Sequence, residues 1–256
     1  MIWLADITTF NPDSYTAEVV GVSTALRNVD SGTHSHQRGQ LLYTRQGCVR
    51  VMLADQLCLL PPSRAAWIPA NTTHSAVMTD IVDYRSIYFR ADIAAALPTE
   101  VRVLNVSLLL SAVLEAITAA DFEQGWQTGR HAHLLGLCID EIRTASCEPT
   151  LLPLPADRRL ARWVARLGQL PPELKILERE VGASGKTITR IFQRQTGMSY
   201  QQWRQQWRLM RAIELLATGQ SLSRTAAELE FSSDSAFIAF FRKMIGSTPR
   251  AYLKKS

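Results

Sequence analysis

The chain has no run of about 18 uninterrupted apolar residues, the length a membrane span needs, so no membrane-crossing helix is expected. Its first residues, MIWLADITTF, lack the basic start and apolar core of a secretory signal. Cysteine is scarce: Cys48, Cys58, Cys138 and Cys147 are scattered, with no Cys-x-x-Cys pair to staple a small fold or build a zinc ribbon. Reduced thiols in a cytoplasmic protein are the expectation. No Ser/His/Asp or paired-carboxylate arrangement forces a catalytic reading either. The remaining composition, 46% hydrophobic and 20% charged over 256 residues, is that of an ordinary globular protein with room for two cores.

Acidic residues are short on one side of the chain. Residues 151–256 hold 18 Lys and Arg against 8 Asp and Glu, whereas residues 1–150 hold 10 against 15. A basic half beside an acidic half implies two jobs, with the basic half facing a polyanion. The texture divides similarly. From about residue 16 to 90, short alternating runs such as EVVGVSTAL, QLLYT and CVRVML are broken by turn residues, as in an all-β barrel. From residue 105, VSLLLSAVLEAITAA and RHAHLLGLCIDEIRTA repeat apolar residues at helical spacing. Pro149, Pro153 and Pro155 then mark a stiff connection, after which the pattern reads as helical to the end. The expected organisation is α+β: a β-barrel over 1–92, a helical region over 93–148, and an all-α domain over 149–256.

The basic part carries the most specific pattern. A helix ending at Val181 stops at Gly182, which accepts left-handed geometry, and Ser184 is placed to cap a second helix. In that helix Ile188, Ile191 and Phe192 share one face, leaving Lys186, Thr187, Thr189, Arg190 and Arg194 outward. Two short helices around a glycine, the second basic outside, make a helix-turn-helix over about 173–197. The pattern recurs over about 221–246, where Phe237, Phe240, Phe241 and Ile245 form the apolar face. Between them a helix from Tyr200 to Ala217 would run roughly 27 Å. Successive major-groove faces of a duplex lie about 34 Å apart, so a rigid spacer of this length suits two recognition helices on one side of DNA.

These last hundred residues resemble the DNA-binding domain of AraC/XylS-family transcription regulators, through EFSSDSAFIAFFRKMIGSTPRAY and REVGASGKTITRIFQRQTGMSYQQW. The resemblance implies base contacts from Lys186, Thr189 and Arg190, with Arg190 suited to bidentate guanine binding, and Thr187 and Arg194 join them as expected DNA-binding residues. In the second unit the matching positions are Asp234, Ser235, Ala236 and Ala239. These are poor in long donors, so Arg242 and Lys243 are expected to contribute phosphate contacts. Arg208 and Arg211 are candidates for phosphate contact or for plain solvated surface. Glu230 stands where the family has glycine; in left-handed geometry a side chain there costs about 1 kcal/mol. The resemblance also implies a small-molecule effector and RNA polymerase as a partner for an activator; the amphipathic helices of 105–146 are expected to pack on the barrel and form a homodimer seam, with purely internal core as the alternative for their leucine-rich face.

The β-rich half resembles a cupin. His34-x-His36, Gln40 and Gly47 follow the first cupin motif, with glutamine in the glutamate slot; IPANTTH supplies Pro69, Asn71 and His74 of the second. Imidazoles with an oxygen donor suit Zn, Ni, Mn or Fe, and Cu as well. Three readings stay open: a metal on His34, His36, His74 and Gln40, a metal-free pocket for an organic effector, and structural histidines. The rival for the whole chain is a metal-dependent cupin enzyme, a dioxygenase or isomerase, which leaves the paired helix-turn-helix units unexplained. Trp67, Tyr43 and Tyr88 are candidates for the pocket wall, with core packing as the alternative. His131 and His133 are expected at solvent or a dimer interface.

Overall fold

The computed structural model describes residues 9–79, 82–147, 150–164 and 168–254, and Pro149 lies outside them. Two compact units emerge, one of residues 1–54 and 58–150, the other of 55–57 and 151–255.

The first unit holds strands β1 (Val19–Leu26), β2 (Val29–Asp30), β3 (Gly39–Thr44), β4 (Val49–Leu53), β5 (Gln56–Leu60), β6 (Arg64–Ile68), β7 (His74–Met78), β8 (Val82–Phe89) and β9 (Arg102–Asn105). A short helix α1 (Ala91–Ala94) precedes β9, and α2 (Leu108–Thr118) and α3 (Gly129–Thr144) follow it. One sheet runs β1-β8-β3-β6-β9; the other takes β5-β4-β7-β2. Strand β9 lies inside the 93–148 stretch that reads as helical: at four residues it is too short to show a period of two.

Period-two geometry makes β3 and β8 two-faced. Leu41 and Tyr43 on β3, with Ile87 and Phe89 on β8, turn toward α2 and α3, where Leu110, Val113, Leu114 and Ile117 meet Leu135, Cys138 and Ile142. Those helical positions recur every three or four residues, which is why α2 and α3 bury one stripe each. Ser107 caps α2, accepting from Leu110 N–H at 2.9 Å. The alternate residues, Gln40 and Leu42 with Tyr84 and Tyr88, line a cavity on the sheet's other side. Both faces are covered, so all six residues of β3 are buried.

The second unit comprises a short strand β10 (Leu151–Pro153) and helices α4 (Ala161–Val164), α5 (Leu174–Val181), α6 (Gly185–Thr196), α7 (Tyr200–Ala217), α8 (Leu222–Glu228), α9 (Asp234–Ile245) and α10 (Pro249–Lys254). The 149–256 stretch is thus not wholly α: inside the proline-rich linker Leu151–Pro153 is extended, a conformation proline permits at a strand edge, and the elements after it are helices. Helix α7 starts at a capping box in which Ser199 and Gln202 satisfy each other's backbone N–H. Among the described residues no helix is long and apolar enough to cross a membrane.

On β1, Gly21 lets the strand lie directly against α2: a Cβ there would stand 2.8 Å from both Ile117 O and Thr118 Cα. Backbone cannot yield as a side-chain tip does. Gly21→Ala should therefore destabilise the first unit by about 1–3 kcal/mol, read as a lowered denaturant midpoint, while a Gly125→Ala control, with open space around it, should not.

Candidate effector pocket and nucleic-acid interface

His34 and His36 precede β3 rather than lying within it. His34 forms an isolated antiparallel bridge with His74, their backbones exchanging two 2.9 Å hydrogen bonds. His36 is held by its own loop, and its backbone C=O accepts from Asn71 N–H at 2.8 Å. Asn71 adopts φ +62°, the left-handed geometry its place in a glycine slot requires. His36 and His74 are buried while His34 stays exposed at the rim. Gln40 comes from the opposite sheet, so the group spans the space between the two sheets.

The hydrogen bonds fix the tautomers. Each ring donates its Nδ1–H to a carbonyl: His34 to Gly32 O at 3.0 Å, His36 to Arg38 O at 2.6 Å, His74 to Thr72 O at 2.8 Å. The Nε2 lone pairs are what remains, the arrangement metal-ligating histidines use. One ring nitrogen from each residue lies within 4.8 Å of the others, whereas nitrogens about 2.0–2.1 Å from one tetrahedral ion stand roughly 3.4 Å apart, so the rings would have to draw together around it. Burial is the main cause that pushes His74 down to about 4, so its imidazole is neutral near pH 7.

Gln40 is anchored from behind. Its Nε2 donates to the hydroxyls of Ser86, Tyr88 and Tyr84 at 2.8, 3.2 and 3.4 Å, which aims its Oε1 at His36 Nε2, 3.1 Å away. Two acceptors facing each other at that distance repel unless a cation or proton lies between them. The cavity is about 360 Å3, in the lower part of the range for small-molecule sites. Phe10, Asn11, Pro12 and Asp13 close one side. Tyr88 lines the cavity, whereas Trp67 and Tyr43 belong to the core under α2 and α3. His133 is exposed, and His131 is half-buried with its ring 5.2 Å from that of Trp126.

In the second unit, α5 ends at Gly182 with φ +65° and α6 starts from Ser184, whose hydroxyl accepts from Thr187 N–H. Ile188, Ile191 and Phe192 are buried; Lys186, Arg190 and Arg194 are exposed, and Thr187 and Thr189 half-buried. The Thr187 hydroxyl lies 3.0 Å from that of Ser184, so it is drawn into the cap. In α9, Phe237 and Phe241 are buried, but Phe240 and Ile245 are only partly so. Ser235, Ala239, Arg242 and Lys243 are exposed and Ala236 half-buried. Asp234 is exposed, yet its carboxylate accepts from the Ser223 hydroxyl and ties α8 to α9.

Two family models match the chain: an AraC-like ligand binding domain over residues 17–142 and a helix-turn-helix domain over residues 177–255. The chain belongs to the AraC family of transcription regulators. NimR, an HTH-type transcriptional regulator of Escherichia coli (strain K12), is 25% identical over 251 residues, 96% of this chain and 91% of NimR. The virulence regulon transcriptional activator VirF of Yersinia enterocolitica is 26% identical over 226 residues, 86% of this chain and 81% of VirF. RipA, an HTH-type regulator of Corynebacterium glutamicum, is 38% identical over 104 residues, 39% of this chain and 31% of RipA. These relatives favour the regulator over the metal-dependent cupin enzyme.

Arg208 and Arg211 on α7 are not poised for phosphate. Arg208 is buried, donates to Leu229 O, and lies with its guanidinium carbon 3.9 Å from the centre of the Phe231 ring. Arg211 bridges Glu214 at 2.8 Å and Glu228 at 2.9 Å. Glu230 does adopt φ +56°, and its carboxylate pairs with Arg204 at 3.3 Å, so in this regulator it serves the turn's internal bonding. Sequence reasoning passed over Tyr84 in the pocket wall and Ser86 behind Gln40. Arg208→Ala should lower stability by about 1.5–3 kcal/mol through the lost charged hydrogen bond. The salt dependence of DNA affinity should stay the same; a slope reduced by about one would instead mark a phosphate contact.

Proposed function

We propose that this AraC-family regulator senses a small molecule in a metal-bearing cupin pocket and reads two adjacent major-groove segments with α6 and α9. The metal would be a divalent transition ion (Zn, Ni, Mn or Fe) on His34, His36 and His74, with Gln40 Oε1 as a neutral oxygen donor. The supporting observation is the opposed pair of acceptors, His36 Nε2 and Gln40 Oε1 at 3.1 Å, in a wall where each imidazole already spends its Nδ1–H on a carbonyl. A cation between them turns repulsion into attraction. A half-turn of the Gln40 amide would relieve it without a metal, which is the arrangement of a structural or metal-free pocket. Bound metal here supplies a fixed positive charge; the protein's residues supply shape and polarity.

In the DNA-binding half, Lys186, Thr189, Arg190 and Arg194 face outward from α6 and suit base edges, with Thr187 at the helix start. Helix α9 offers Ser235, Ala236, Ala239 and Ile238 to the groove, with Arg242 and Lys243 on the phosphates. The α2–α3 helices form the seam of a homodimer acting in the cytoplasm, with RNA polymerase as partner where the regulator activates.

Elemental analysis of protein purified without chelator should find metal near one equivalent, and His36→Ala should lose it. Metal at background in the wild type, or unchanged in the variant, sinks the metal reading and leaves the turned amide. On the DNA side, Arg190→Ala should cost about 1–3 kcal/mol on the cognate site and relax one base position. Arg242→Ala should weaken binding evenly across sequences and lower the salt slope by about one, both read from titrations at several salt concentrations.

A further inference from the structure

The two helices proposed to enter the groove carry different chemistry. Helix α6 turns long donors outward, with Lys186, Arg190 and Arg194 exposed. On α9 the outward row is Ser235, half-buried Ile238, Ala239 and Arg242, at the i, i+3, i+4, i+7 spacing of a single helix face. Phe237 and Phe241, fully buried, hold the opposite face to the domain. Ser233 caps the start, accepting from Ala236 N–H at 3.1 Å, and Gly246 at φ +82° ends the helix. Fixed at both ends and along its inner side, α9 presents that row in one orientation.

A recognition helix meets base edges with its N-terminal turns. In α9 those turns offer one hydroxyl, on Ser235, and the hydrocarbon of Ala236, Ile238 and Ala239. The cations Arg242 and Lys243 stand in the last turn, a position suited to the flanking phosphates. Asp234 adds an acceptor: its carboxylate receives the Ser223 hydroxyl at 2.5 Å and is thereby held at the helix start. Guanine shows only acceptors, N7 and O6, along its major-groove edge, and a carboxylate repels them. The base feature that hydrocarbon matches in the major groove is the C5-methyl of thymine. Short side chains also let the helix backbone come close, so that a Cβ or a branched methyl reaches it.

We infer that α9 is a thymine reader: Ile238 and Ala239 pack on thymine methyls, and the half-site under α9 is rich in A·T pairs. Helix α6 selects guanine through Arg190, so the two halves of the site are recognised by different means. This rests on the proposed placement of both helices in the major groove and adds the base class that α9 reads. Ile238 is the specificity-determining residue, since it brings the largest apolar group of the outward row. Burying one methyl against hydrocarbon is worth about fourfold in affinity.

The test selects duplexes from a random pool with full-length protein. The half-site under α6 is the one whose base preference shifts in Arg190→Ala or Lys186→Ala. Thymines of the other half are then replaced by deoxyuridine, which keeps every hydrogen-bonding group of the base and removes only the methyl. Affinity should fall about fourfold for each methyl contacted. Ile238→Ala, its fold checked by thermal melting, should bind thymine and deoxyuridine equally at one of those positions. The deoxyuridine series on the wild-type protein needs no substitution and is decisive by itself. Unchanged affinity on deoxyuridine, or guanine fixed in the half under α9, overturns the thymine reading and leaves α9 in the groove. Selected sites with a single half of fixed sequence beside random bases overturn the two-groove placement and this inference with it.

Discussion

Burial of β3 on both faces is the constraint on which the sensor half depends. A strand at the centre of a sheet, paired with β6 on one side and β8 on the other, cannot leave either row of side chains in water here. One row, Leu41 and Tyr43, is spent on the helices; the other, Gln40 and Leu42, is spent on the cavity. Gln40 is tolerated at 2% exposure because its amide nitrogen donates to three surrounding hydroxyls. A buried amide missing those partners would cost several kcal/mol, on the order of 2–7 depending on reference state. The pocket's chemistry and the fold's stability thus draw on the same residues.

The DNA-binding half solves a different problem with α7. A helix this enclosed would ordinarily be apolar all round, yet α7 buries Arg204 and Arg208 as well as its tryptophans. Each guanidinium answers backbone that the neighbouring elements leave open. Arg204 donates to Pro171 O at 2.7 Å and Arg208 to Leu229 O, the carbonyl at the end of α8. Tyr200 and Trp203 do likewise for Pro172 O and Pro153 O, at 2.6 and 2.7 Å. Proline-rich connections expose carbonyls without matching N–H groups, and long side chains on a rigid helix supply the missing donors. The same arginines brace the Glu230 turn, which offsets part of the strain of a carboxylate residue at φ +56°.

How much of this was legible in the sequence follows from range. Helix α7 reads correctly from Tyr200 to Ala217 because its caps and period are local, and Gly182 and Ser184 frame the first turn for the same reason. The His34, His36, Gln40 and His74 group is legible through motif spacing, although only coordinates show His34 at the rim and Gln40 on the facing sheet. Tyr84 and Ser86 escape because a strand buried on both faces has no polar alternation to separate wall from core. Arg208 and Arg211 mislead because basic residues on a basic domain look like phosphate contacts until long-range partners such as Leu229 and Glu228 are placed. Strand β9 escapes because its pairing with β6 is non-local.

A sensor must convert occupancy into altered structure, and a ligand does so only through unequal affinity for two arrangements. Within the first unit the shortest path from the pocket passes through the thickness of one sheet. A guest that draws on Gln40 and Tyr88 pulls a directly paired couple, since these residues are cross-strand partners on β3 and β8. Their neighbours Leu41 and Ile87 are packed into the α2–α3 core, and Tyr43 continues to α2 through a 3.3 Å contact with the Ser111 hydroxyl. Arg45, just past β3, pairs with Glu115 on the same helix. Close-packed interiors shift as units rather than deforming continuously. The helices most exposed to a change in the pocket are therefore those that share β3 with it, and α2 carries the exposed Leu108 and Leu109 at its start, apolar surface well placed to register such a change.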